Sequence, residues 1–146
     1  MAFVRYTASA DNTITNAYQA NLTTRATGAN AGQADILEVF SIYGRQTPYQ
    51  SSSTGITPAS TELSRFLITF PVATISADRT SLKIPTSGGV DFFLKIYNAP
   101  HSRTVPDNYG LTVAAVSQSW EEGYGLDITN YLDTVKGNAG SNWIQA

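Results

Sequence analysis

Four segments of this chain alternate apolar and polar residues with a period of two, and that pattern constrains the fold more than any other feature. Asp35–Tyr43 sets Leu37, Val39 and Ser41 on one face, and Ile36, Phe40 and Ile42 with Glu38 on the other. Leu63–Phe70 alternates likewise. In Asp91–Tyr97, Phe92, Leu94 and Ile96 are expected to face inward, with Phe93, Lys95 and Tyr97 facing out. Tyr109–Trp120 alternates over a longer span, and Val4–Ala8, Asp11–Ala17 and Ser81–Ile84 are weaker strand candidates. Alternation of this kind, in runs rich in β-branched and aromatic residues, predicts half-buried strands. The expected fold is all-β, an antiparallel β-sandwich of jelly-roll kind. At most one short helix is expected besides, near 127–135, from the helical spacing of Ile128, Tyr131 and Leu132, with Asp127 able to cap its first turn.

A length of 146 residues suits one domain over 1–146. Two stretches, 19–34 and 44–61, lack periodicity and are expected to be long loops of functional or unstructured character. Neither an internal repeat nor a heptad pattern occurs. The last residues, Asn142–Ala146, read as the beginning of a strand. The expectation is either that 1–146 is the N-terminal part of a longer chain, or that a neighbour supplies the missing strand.

Charged residues make up 14% of the chain, well under the roughly 25% of an ordinary globular protein. Ser, Thr, Asn and Gln fill the gap at roughly a third of all positions. Net charge is −2, and Arg5, Arg25, Arg45, Arg65, Arg79 and Arg103 are scattered without a basic run, which argues against direct nucleic-acid binding. There is no cysteine, so no disulfide staples the fold. The N-terminus lacks the pattern of a secretory signal, and no apolar run approaches the ~18 residues of a membrane span. Cytosolic synthesis with an adhesin-like, low-charge surface suits a virion protein, made in the host cytoplasm and then displayed outside it.

No constellation of catalytic residues stands out, and none is expected; nor is a cofactor or a metal. His101 is the single histidine and has no partner at metal-ligand spacing. No G-x-S-x-G pattern marks a nucleophile. Glu121, Glu122, Asp127 and Asp133 crowd one region, where they read as solvated loop charges and a helix cap. A calcium ion held partly by main-chain carbonyls stays open for them, as does a paired-carboxylate role. Tyr6, Tyr18, Tyr49, Tyr97 and Tyr124 fit cross-strand pairs, a protein interface or a sugar-stacking platform. Phe3, Val4, Tyr6 and Tyr49 are the expected partner contacts, since they place apolar rings and side chains on segments a monomer has little reason to order.

The last quarter, SWEEGYGLDITNYLD followed by GSNWIQA, places a tryptophan after a β run, then a glycine-hinged acidic loop, then a second tryptophan. Its wording resembles structural proteins of tailed bacteriophages, particularly those of marine cyanobacteria. The opening RYTASADNTITNAYQANLTTRATGANAG and the Arg-led strand Ser64–Phe70 resemble DNRLRE-type β-sandwich domains, as does the W-x-E-G loop after Val113–Ser119. The resemblance implies a capsid decoration, neck, tail or fibre component. Its partners would be other virion proteins, and its own form a homo-oligomer. Trp120, Gly123, Gly125, Asp127 and Trp143 match the corner motif, and the role implied for them is architectural. The competing expectation is a carbohydrate-binding β-sandwich module of adhesin or fibre-tip type, with a glycan against the exposed rings.

Overall fold

The computed structural model describes residues 3–19, 21, 23–45, 59–102, 108–126 and 140–145. Its regular elements are strands β1 (Ala10–Thr15), β2 (Ser41–Arg45) and β3 (Ala59–Thr69), and one short helix, α1 (Val72–Thr80). The strands form an antiparallel sheet in the order β1-β3-β2. The β-rich character is as the alternation predicts, whereas α1 lies at 72–80, where no helix is expected. The chain groups into two compact units, Tyr6–Phe70 with Ser119–Ala146, and Met1–Arg5 with Pro71–Gln118.

In the first of these units, β1 runs against β3 with Ala10 opposite Thr69, Thr13 opposite Phe66 and Thr15 opposite Ser64. β2 runs against the other edge of β3, Ser41 opposite Leu63 and Arg45 opposite Ala59. Side chains end the β1 ladder. Asn16 donates its N–H to the Leu63 carbonyl (3.1 Å) and accepts the Leu63 N–H on Oδ1 (2.7 Å), so an amide side chain replaces a backbone acceptor. Ala17 N–H then bonds back to Thr15 Oγ1 at 3.0 Å, turning the chain out of the strand.

Burial in β1 does not alternate. Asn12, Thr13, Ile14 and Thr15 are all buried, so the strand is covered on both faces. What covers it is not bulky. Among the described residues, the buried apolar side chains of this unit are Ile14, Ala17, Ala26, Ala29 and Ala31, accompanied by Asn30, Glu62, Ser64, Ser141 and Asn142. The stretch expected as a long loop, 19–34, thus supplies much of the buried set. Small side chains let its backbone lie directly against β1, where Ala31 N–H donates to the Thr13 carbonyl at 3.0 Å.

Other expectations are corrected as well. Of Asp35–Tyr43, only the residues from Ser41 on join a ladder. Before that point the Ser64 side chain takes over, its hydroxyl accepting from Phe40 N–H (2.7 Å) and donating to the Glu38 carbonyl (2.9 Å). Ile36 and Ile42 are exposed. β3 starts at Ala59, inside the expected 44–61 loop. Val4–Ala8 forms no strand, and Ser81–Ile84 is the turn that closes α1. Asp91–Tyr97 and Tyr109–Trp120 are in no strand of the structure, and Phe92, Leu94 and Ile96 are exposed rather than inward. The helix expected near 127–135 lies outside the described residues.

Helix α1 follows Pro71, whose ring fixes φ at −72° at the helix start, and it buries none of its residues. It stops where Leu82 enters the left-handed region at φ 61°, an uncommon conformation for a non-glycine residue. Its end is tied by Ser81 N–H to the Ala77 carbonyl (2.9 Å) and by Ile84 N–H to the Asp78 carbonyl (3.1 Å). An exposed Lys83–Asp78 pair at 3.1 Å spans the same turn.

Candidate functional site

Four segments far apart in the chain meet around Asn12 and Asn30. Asn12, fully buried in β1, donates from Nδ2 to the Ser141 carbonyl at 2.9 Å and accepts on Oδ1 from Ala31 N–H at 3.1 Å. Asn30 Oδ1 accepts the Gly125 N–H at 2.9 Å, and the Gly125 carbonyl accepts from Gln33 N–H at 2.7 Å. Ser141 and Glu121 close a small ring: Ser141 N–H donates to the Glu121 carbonyl, and Glu121 N–H to the Ser141 hydroxyl, both at 2.9 Å. Trp143 N–H donates to the Thr27 carbonyl at 3.0 Å. A buried amide that satisfies its partners contributes modestly, but breaking the set leaves buried groups unpaired at about 1–3 kcal/mol each.

The glycines make this approach possible. A Cβ on Gly125 would fall on the Asn30 carbonyl, and one on Gly32 on the Glu122 carbonyl. Gly123, at φ 83°, sits against the Asn30 amide in a conformation that L side chains rarely adopt. The structure therefore brings Gly123, Gly125 and Trp143 together with Asn12, Asn30 and Ser141. Trp120 is half-buried in the same unit, and Asp127 lies outside the described residues. The asparagines and Ser141 went unrecognised in the sequence, where polar residues in a Gly/Ala-rich stretch read as loop. The density of small residues in Ala26–Gly32 is the signal that backbone packs there.

Arg65, exposed on β3, places its guanidinium 4.6 Å from the centre of the Trp143 ring. This contact clamps the C-terminal segment onto the sheet. Arg65→Ala is expected to cost about 0.5–1 kcal/mol, read as a small drop in Tm with a red-shifted tryptophan emission. An unchanged emission would show that the clamp does not order Trp143.

The acidic residues are divided. Glu121 is exposed, whereas half-buried Glu122 accepts the Asp11 N–H on Oε1 at 3.0 Å. Burial, and secondarily the Glu122 charge, push the Asp11 carboxyl above its ordinary range. The folded state thus holds the Asp11 proton more tightly than the unfolded chain does. That contribution is present below the unfolded pKa and is lost as pH rises through the folded one. Asp11→Asn is accordingly expected to raise Tm slightly at pH 7 and to leave it unchanged at pH 3; the opposite pattern would show that the Asp11 charge is stabilising.

Among the described residues no group of three or more His, Cys, Asp or Glu is placed to hold a metal ion. His101 is exposed, with its ring Nε2 3.1 Å from Asn98 Nδ2. In the unit containing α1, an open cleft of about 170 Å³ is lined by Arg79, Pro85, Thr86, Ser87, Gly88, Gly89, Val90 and Phe92. Its one cation, Arg79, already donates to the Thr86 carbonyl at 2.9 Å. Of the expected partner contacts, Phe3 is 87% exposed and Val4 is exposed; Tyr6 is half-buried, and Tyr49 lies outside the described residues.

The prominent exposed feature lies elsewhere, in the same unit as α1. Phe92, Phe93 and Tyr97 are 73%, 86% and 73% exposed, and Leu94, Ile96, Leu111, Val113 and Val116 are exposed with them. Comparison of the chain with protein-family models, curated proteins and solved structures finds no match.

Proposed function

We propose that this chain is a non-enzymatic structural protein of a tailed-phage particle, a capsid decoration, neck, tail or fibre component that works through protein–protein contacts. The observation that supports this reading is the exposure of the apolar side chains at 92–97 and 111–116. The rings of Phe92, Phe93 and Tyr97 alone expose about 450 Å², at ~200 Å² per ring. That is a large apolar exposure for so short a segment, and the aliphatic side chains are exposed besides. Side chains of this kind on an alternating segment are suited to burial against another subunit. Repetition around a particle then multiplies weak contacts through effective concentration. In this reading the antiparallel β-sandwich is completed in the assembled state, and the protein passes from the host cytoplasm into the virion. No helix among the described residues is long and apolar enough to cross a membrane.

Co-sedimentation of the purified chain with empty capsids and with tails tests the proposal. Saturable binding to one of them is expected, lost when Phe92 and Phe93 are both replaced by Ser. A chain that ignores particles but binds on a glycan array would replace this reading with the carbohydrate-binding one.

A further inference from the structure

Residues 91–97 keep the period-two alternation of a strand, yet among the described residues they join no ladder. Lys95 sets its ammonium 4.8 Å from the centre of the Tyr97 ring, so these two side chains share a face, as residues two apart do in extended chain. Among the described residues, no backbone hydrogen bond joins this segment to any other. Its apolar side chains are exposed on both faces: Phe92, Leu94 and Ile96 on one, Phe93 and Tyr97 on the other. An alternating apolar segment that pairs with no other described strand is a template for strand addition.

We propose that the occupant is a second copy of this chain, paired antiparallel through residues 90–96 about a two-fold axis at Phe93. Charge selects that register. With Phe93 opposite itself, Asp91 of each copy faces Lys95 of the other, Phe92 faces Leu94 and Val90 faces Ile96. A two-fold pair must set residues of one face opposite each other, so the neighbouring registers centre on Phe92, Leu94 or Lys95. The first sets Asp91 against Phe93, the second sets Asp91 against Tyr97, and the third sets lysine against lysine. Only the Phe93 register satisfies both charges, twice per dimer, and it leaves Val90, Phe92, Leu94 and Ile96 of both copies as one continuous apolar face. The inference rests on the assembly reading for the premise that this surface exists to be covered.

Sedimentation equilibrium and light scattering on the full chain test it. The unmodified chain is expected to be a dimer. D91K and K95D each set like charges opposite one another, twice, and are expected to weaken the dimer about ten- to a hundredfold. Mixed in equal amounts, the two variants are expected to form a heterodimer about as tight as the original, because every facing pair is then opposite in sign. A misfolded variant would not be rescued in this way. The chain has no cysteine of its own, so F93C under mild oxidation is expected to give a covalent dimer. A monomer at all concentrations overturns the proposal, as does a dimer indifferent to both charge variants. A monomer that still co-sediments with particles refutes the dimer alone, whereas a charge-sensitive dimer that ignores particles supports the pairing and refutes the particle reading.

Discussion

Gly125→Ala is expected to lower the melting temperature by about 10 °C, or to prevent the Tyr6–Phe70/Ser119–Ala146 unit from folding. The new methyl group would meet the backbone of Asn30, both its carbonyl oxygen and its carbon, and not the movable end of a side chain. Backbone can yield only by moving the 29–33 segment away from β1. That would break the Gly125 N–H to Asn30 Oδ1 bond (2.9 Å) and the Gln33 N–H to Gly125 carbonyl bond (2.7 Å). Overpacking of this kind costs about 1–3 kcal/mol before the lost bonds are counted, and each kcal/mol is about 2–4 °C for a chain of this size. Gly28→Ala is the control, since a Cβ there meets nothing within 4 Å. Equal melting temperatures for the two variants would contradict the close approach at Gly125.

The second large effect is at Asn12. Asn12→Leu keeps the branched shape but removes the donor to the Ser141 carbonyl, leaving that acceptor buried and unpaired. Ala31 N–H keeps its bond to the Thr13 carbonyl, so one orphaned group is expected, at about 2–3 kcal/mol. Asn12→Asp is expected to be worse at neutral pH, about 3–5 kcal/mol, because it buries a carboxylate against a carbonyl oxygen. The sign of its pH dependence follows. Burial raises the new carboxyl's pKa in the folded state, so the folded chain binds the proton more tightly, and stability returns as pH falls. Protonated, it can donate to Ser141 as the amide does. Chemical denaturation of the three proteins at pH 7 and pH 4.5 checks this. A Leu variant less stable than the Asp variant at pH 7 would contradict this, since the buried carboxylate would then cost less than the apolar side chain.

These two sites show what could be read in the residues and what could not. Strands β1 and β3 are visible in Asp11–Ala17 and Leu63–Phe70 because β-branched and aromatic runs report extended chain. Where the core lies was not visible. Hydrophobic patterning assumes that large apolar residues go inside, whereas here Ala29, Asn30 and Ala31 are inside and Phe92 and Phe93 are outside. A core of small residues and amides is specified by close backbone approach and hydrogen-bond geometry, which need partners more than 90 residues apart, such as Asn30 with Gly125. The hinge glycines of E-E-G-Y-G can be seen in the sequence; the asparagine they pack against cannot. Helix α1 escaped for a local reason. Val72, Thr74, Ile75 and Thr80 are β-branched, no acidic residue lies in its first turn, and it has no buried stripe to set a helical period.

Amide hydrogen exchange on the full chain at low concentration, where copies do not pair, tests the division between polar core and displayed apolar strand most directly. The account predicts that the amides of Ala31, Gly125 and Ser141 are among the slowest to exchange, and that those of residues 92–97 exchange almost as fast as in free peptide. Slow exchange at 92–97 in the dilute monomer, with fast exchange at Ala31 and Gly125, would contradict it: the apolar strands would then be the core, with no free strand left for assembly.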